Sequence, residues 1–398
     1  MDYRQSNEEK WIYWSENAQQ AFCEVDKLIF DFDGVLVQTI QSYRQTVRKV
    51  VDYYFLEILA LEGEEGKLVT LRDIQKFKDT GLYNNDWKLS YAFITYYLTL
   101  IMRELERKNA LEDFTKKFDY LQFSDIKSFA ASLRNVSKFL NRYKITAIDL
   151  ADLKDNATIN LDLFLAHAKI EKAKLIETSQ VGVDLEVSGD EQDFFKKLVS
   201  FKLEEPDLLK RLFEEIYLGK ELFTKFYNVP SFFKFRESLL DKEMFIATKE
   251  TLDILSQRFG ESWIYSGRPK TQAMYLLEKF DYGEYFNKKD SVFLGDLLKS
   301  EDEMEEFGKP DPTLFIELIE KLVDQKTMVA YVGDGIADAM LVNNARSEGV
   351  ENLLFLGVMS SSEDSDKLFT EYRKHGADVI MSGVNDIPFI LENLRGSV

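Results

Sequence analysis

The chain has 398 residues, 45% of them hydrophobic and 30% charged, with a formal net charge of −19. That length exceeds one ordinary hydrophobic core and predicts two domains, and the composition is that of a soluble globular protein. The negative charge excludes a phosphate-backbone binder, so no nucleic-acid partner is expected, although a local cation can still draw a small anion into a pocket. A single cysteine, Cys23, excludes an internal disulfide, and two histidines leave acid–base work mainly to carboxylates and lysines.

The N-terminus carries acids and lacks the apolar run of a signal peptide. Residues 1–25 read as a helical extension in which Trp11, Ile12, Trp14 and Phe22 present apolar surface. Next comes KLIFDFDGVLV, Lys27–Val37: a short apolar run, as a buried parallel strand requires, ending in Asp31, Asp33 and Gly34. Two acids at the mouth of a buried strand repel each other unless a cation lies between them.

Residues 38–240 have a different character. Apolar residues recur at helical spacing, as in Val47, Val50, Val51, Tyr54, Phe55 and Ile58, and again in Phe129, Leu133, Val136 and Leu140. Further helices are predicted over Leu161–Ile176, Asp190–Phe201 and Pro206–Tyr217. The run Tyr91–Met102 is shorter than the roughly 18 apolar residues of a membrane span, so it reads as a buried helix. No membrane partner is expected, and a cytoplasmic location is. This stretch of about 200 residues is a domain-sized helical insert.

From about Lys242 the pattern turns α/β. Strands are predicted at Trp263–Tyr265, Ser291–Asp296, Thr327–Asp334, Leu353–Val358 and Ala377–Met381, separated by amphipathic helices. Such alternation predicts a Rossmann-like parallel sheet with helices on both faces, assembled from residues 26–37 and 241–398. The first strand is parted from its sheet partners by the insert.

Ligands of such sheets bind beyond the strands' carboxyl ends, where the candidate residues fall. Asp31 and Asp33 either cap the turn after the strand or serve as nucleophile and acid–base. Ser266 and Gly267 in YSGRP form either a plain turn or a holder for phosphate oxygens, with Arg268 beside them facing substrate or the surface. Lys309 in GKPDP is either solvated or the counter-charge to the carboxylates and a phosphoryl group. Asp334 and Asp338 in GDGIAD are either helix-capping residues or ligands of a hard cation such as magnesium. Asp296 ends a predicted strand and reads as structural.

Taken in order, DFDGV (31–35), SGRP (266–269), KPDP (309–312) and GDGIAD (333–338) resemble the four motifs of the haloacid-dehalogenase-like (HAD) superfamily. The insert between the first and second motifs resembles the subfamily I cap arrangement. The resemblance implies an Mg²⁺-dependent phosphotransferase core in which Asp31 is nucleophile and metal ligand. It implies that Asp33 is the acid–base residue with its backbone carbonyl on the metal, that Ser266 and Lys309 bind phosphate, and that Asp334 binds metal. An acid retained at position 33 argues against the dehalogenase and phosphonatase branches. Gln38 stands where members often carry Asp, and the insert is longer than a common cap. Within it, Arg44, Lys76, Asn84 and Asn85 are candidate substrate contacts, the last three in the loop region KFKDTGLYNNDW, which also reads as a plain helix connection. The expected function is a phosphatase acting on a small phosphorylated metabolite. Alternatives are a phosphomutase, or an interaction protein using the helical insert. The oligomeric state is left open.

Overall fold

The computed structural model describes residues 3–5, 11–16, 18–78, 86–118, 126–156, 161, 208–298, 301–322, 327–360, 362 and 364–395. The chain separates into two compact units, one of residues 1–39 with 243–398 and one of residues 40–242.

The first unit is built on an eight-stranded sheet of order β1-β2-β10-β9-β8-β3-β6-β7. Its strands are β1 (Tyr3–Gln5), β2 (Ile12–Ser15), β3 (Val25–Phe30), β6 (Trp263–Ser266), β7 (Val292–Phe293), β8 (Met328–Gly333), β9 (Leu353–Val358) and β10 (Val379–Met381). From β10 to β7 all neighbours are parallel. The β3 strand lies in the middle, with Leu28, Ile29 and Phe30 inaccessible to solvent, because its faces are covered on both sides as its continuous apolar run requires. Helices follow in chain order: α1 (Ala18–Cys23) here, then α2 (Tyr43–Asp52), α3 (Leu71–Lys78), α4 (Asp86–Arg107), α5 (Leu111–Phe118), α6 (Ile126–Arg142), α7 (Ala147–Asn156) and α8 (Leu208–Tyr227) in the second unit. Back in the first unit are α9 (Lys249–Phe259), α10 (Lys270–Lys279), α11 (Leu294–Leu297), α12 (Glu301–Phe307), α13 (Thr313–Leu322), α14 (Ile336–Ser347), α15 (Ser365–Lys374) and α16 (Ile387–Arg395). Their ends follow local chemistry: Thr248 accepts a hydrogen bond from the Thr251 N–H to start α9, and Gly260, at φ 74°, ends it.

Two expectations are corrected. Residues 1–25 do not form a helical extension: among the described residues of this stretch only Ala18–Cys23 is helical, and Ile12–Ser15 pairs antiparallel with β10. The β-branched and aromatic residues of IYWS suit a strand, and the exposed edge of β10 needs a cover. Ile12 and Trp14 are buried on one face, while Tyr13 meets Phe369 edge-on at 4.8 Å on the other. The predicted strand Ser291–Asp296 is extended only at Val292–Phe293, after which the chain turns into α11. Asp296 there accepts a 2.6 Å hydrogen bond from the Lys270 N–H and so caps α10, a structural role.

Both passages into the second unit leave the first from one place. A short antiparallel ladder, β4 (Val37–Gln38) with β5 (Met244–Phe245), holds the outgoing and returning chain side by side, and Gln38 is exposed on it. All six residues of the Val47–Ile58 face are buried, although Tyr53–Ile58 winds as a π-helical turn after α2. Tyr43 stacks on Tyr217 at 4.7 Å, and a buried Lys154–Asp73 pair at 2.6 Å ties α7 to α3. Gly219 (φ 66°) kinks α8, where an added Cβ would lie 2.8 Å from the Glu237 carbonyl oxygen. The predicted helices Leu161–Ile176 and Asp190–Phe201 lie outside the described residues, apart from Leu161. Among the described residues no helix is long and apolar enough to cross a membrane.

Candidate active site

The candidate residues gather where β3, β6 and β8 end together. Phe30 pairs with Ile264 on one side and Val332 on the other, so Asp31, Ser266 and Asp334 fall at neighbouring strand ends. The strand order reverses around β3, which is where open parallel sheets place their crevice.

Asp31 is fixed at once by its neighbours. Its N–H donates to the Val332 carbonyl at 2.8 Å, and its Oδ1 accepts the Phe32 N–H at 2.7 Å. Beyond it the Phe32 carbonyl accepts from both Leu36 and Val37 N–H at 3.0 Å, a single tight turn. Gly34 in that turn has φ 78°, and a Cβ there would lie 1.8 Å from Asp334 Oδ2. Only glycine meets both demands. Gly34→Ala should therefore lower stability by about 2 kcal/mol or more, since a positive-φ cost is added to a displaced carboxylate; urea unfolding measures it, and an unchanged midpoint would contradict the packing.

Lys309 bridges two acids, its Nζ lying 2.8 Å from Asp31 Oδ2 and 2.8 Å from Asp338 Oδ1. It stands over the faces of Tyr265 and Tyr331 at 5.7 and 5.5 Å, which favours a cation. Burial works against its charge, but Asp31 and Asp338 outweigh burial and hold its pKa above the ordinary lysine value. Burial pushes the Asp31 carboxyl up to about 8, with Asp338 and Asp334 adding to the rise and Lys309 opposing it. Tyr331 is raised well above the usual phenol value by burial and by the nearby acids, so it stays a donor, and its hydroxyl donates to Asp338 Oδ1 at 2.8 Å.

The other acid of the motif takes a different cation. Asp33 Oδ1 accepts from Arg268 Nε at 2.8 Å and lies 2.6 Å from Arg268 Nη2, which is also 2.9 Å from Glu243 Oε2. Arg268 was a candidate substrate contact; with its side chain inaccessible to solvent, it is instead committed to these two carboxylates. Ser266 is buried, and its Oγ accepts the Arg268 N–H at 3.3 Å, so its hydroxyl proton donates to no other group among the described residues. Gly267 has open space around its Cα, and its carbonyl packs against Gly295.

One carboxylate oxygen from each of Asp31, Asp334 and Asp338 lies within 4.8 Å of the others, a hard-oxygen donor set. Asp338 is the least available of the three. Its Oδ1 accepts from Lys309 and Tyr331, and its Oδ2 accepts the N–H groups of Asp334 (3.2 Å) and Gly335 (3.0 Å). With every lone pair engaged, it suits orienting the site better than direct ligation. The Asp33 side chain is outside this group. Arg44 is buried on α2 and donates to Gln75 at 2.9 Å, and Lys76 is on α3, both in the second unit. Asn84 and Asn85 lie outside the described residues. Sequence reasoning missed Glu243 and Tyr331. Glu243 in DKEMF has the look of a surface acid, whereas the period-two alternation of β8 puts Tyr331 on the face of Gly333.

These features define a class: a parallel-sheet hydrolase core with an acid pair on one strand end and a lysine–carboxylate cluster beside it. The sequence matches the model of the haloacid dehalogenase-like hydrolase family over residues 25–346. The chain belongs to that family, and it is an enzyme, a HAD-like hydrolase. Among solved structures it is similar to a structural-genomics target, ZR25, at 20% identity and a TM-score of 0.63, covering 94% of this chain and 100% of that one. It is also similar to the phosphatase Tt82 from Thermococcus thioreducens at 18% identity and a TM-score of 0.42, covering 88% and 99%. No curated protein matches the sequence.

Proposed function

We propose that the protein is a Mg²⁺-dependent phosphatase that hydrolyses a small soluble phosphomonoester through an aspartyl-phosphate on Asp31. One observation carries the reading: Asp31 and Asp33, two residues apart, are held by different cations in different surroundings, as two carboxylates with different tasks require. Asp31 and Asp334 would hold the metal with the Asp33 backbone carbonyl, and Asp338 would orient its surroundings. When bound, the ion would neutralise the crowded carboxylates and the charge on the phosphoryl group.

Asp31 attacks phosphorus, the bond to the leaving oxygen breaks, and Asp33 gives that oxygen its proton. Water then attacks the same phosphorus and passes a proton to Asp33, the Asp31–phosphorus bond breaks, and inorganic phosphate leaves. Lys309 and Ser266 hold the phosphoryl oxygens that do not react. The test is a panel of phosphomonoesters assayed with and without Mg²⁺. Removing metal with EDTA should lower turnover at least ~100-fold, with restoration on adding Mg²⁺. Full turnover in EDTA, or an isomerised sugar phosphate in place of free phosphate, would overturn the assignment.

A further inference from the structure

Arg268 makes four connections inside the first unit that no substrate role explains. Its guanidinium places Nε and Nη2 against the same oxygen of Asp33, at 2.8 and 2.6 Å. Among the described residues the other oxygen, Oδ2, takes no hydrogen bond, and the Asp33 side chain remains 29% exposed. The same Nη2 lies 2.9 Å from Oε2 of Glu243, itself inaccessible to solvent. The Phe32 ring lies 5.3 Å from the guanidinium carbon, and the Arg268 backbone N–H meets Ser266 Oγ at 3.3 Å.

We propose that Arg268, anchored by Glu243, is a positioning residue that fixes Asp33 by one oxygen and leaves Oδ2 as the atom that exchanges the proton with the leaving group. A planar fork suits this, because its Nε–H hydrogen bond and its Nη2 both close on one oxygen of Asp33 and leave the other open. Glu243 balances the guanidinium's charge, so that the clamp acts through geometry. The device draws on residues 33, 243 and 268, which only the fold brings together. It rests on the reading of Asp33 as acid–base residue given above.

The experiment uses the full chain with Mg²⁺ and two aryl phosphates, phenyl phosphate with a poor leaving group and 2,4-dinitrophenyl phosphate with one that needs no proton. A misplaced acid harms the first far more than the second. Arg268→Lys keeps the charge and loses the fork. It should lower the single-turnover rate of phenol release at least ~10-fold more than that of dinitrophenol release, a step that precedes the water attack in which Asp33 serves both esters alike. Because a lone buried Glu243 threatens folding, the double variant R268M/E243L removes both charges and fills the space, an exchange buried ion pairs often tolerate. It should melt cooperatively and show the same leaving-group selectivity. Equal losses on both esters, or no loss, would overturn the positioning role. Asp33→Asn separates the two readings: if it too slowed phenol and dinitrophenol release equally in a single turnover, the assignment of Asp33 as the acid would itself fall, whatever Arg268 does.

Discussion

Asp31→Asn should reduce phosphate release at least ~10³-fold, because an amide cannot form the acyl phosphate and no neighbouring group can take its place. Asp33 is held away on Arg268, and Asp338 is saturated by four donors. Release of phosphate by the variant at the wild-type rate would remove Asp31 as nucleophile. The same substitution has a second signature in metal-free protein. With its carboxyl raised to about 8 by burial, the folded chain keeps a proton that the unfolded chain loses near the ordinary value of 3.8. Between those values the native state binds more protons, so stability falls as pH rises, by up to about 1.4 kcal/mol per pH unit from this group. Thermal melts in EDTA from pH 5 to 8 should therefore decline more steeply for wild type than for Asp31→Asn. Parallel declines would show that Asp31 is not the strained carboxylate. Nucleophile and strain are the same feature: the acid is costly to bury where it is useful.

What was legible in the chain depended on distance along it. DFDGV, SGRP, KPDP and GDGIAD each declare themselves locally, since a strand end, a turn and a helix start are set by a few adjacent residues. The boundaries of β9 and the helices of the first unit follow from periodicity for the same reason. The N-terminal strand was hidden because four residues of alternation are too few to separate from a helix, and its pairing partner lies some 365 positions later, at Val379–Met381. The truncated strand at Val292 was hidden because the apolar run VFL continues straight into α11 without a turn residue. The strand ends at Phe30, so the alternation that would put Asp31 and Asp33 on one side stops one residue short of the pair. Glu243 could not be found at all: no spacing links it to Asp33 and Arg268, and its burial is a property of the assembled core.

Lys309→Met should cost activity and stability together, and the two losses should be separable. The ammonium is the one side-chain cation bonded to Asp31 and Asp338 among the described residues, and both acids are almost buried. Taking one partner out of a buried pair strands the other charge, at about 3–5 kcal/mol, so the metal-free protein should unfold at markedly lower urea. Activity should fall by roughly 10²–10⁴-fold, because the charge that faces the transferring phosphoryl group goes with it. Adding Asp338→Asn to this variant removes a stranded carboxylate, while the amide oxygen can still accept from the N–H groups of Asp334 and Gly335 and its NH2 can donate to the Tyr331 hydroxyl oxygen. The double variant should regain at least ~1 kcal/mol of the lost stability and little of the lost turnover, a coupling that a double-mutant cycle reads directly. If stability did not recover, the burden of Lys309 would lie in packing against Tyr265 and Tyr331. If turnover recovered with stability, the lysine would be a structural counter-ion and phosphate binding would rest on Ser266 and the loop around Gly267.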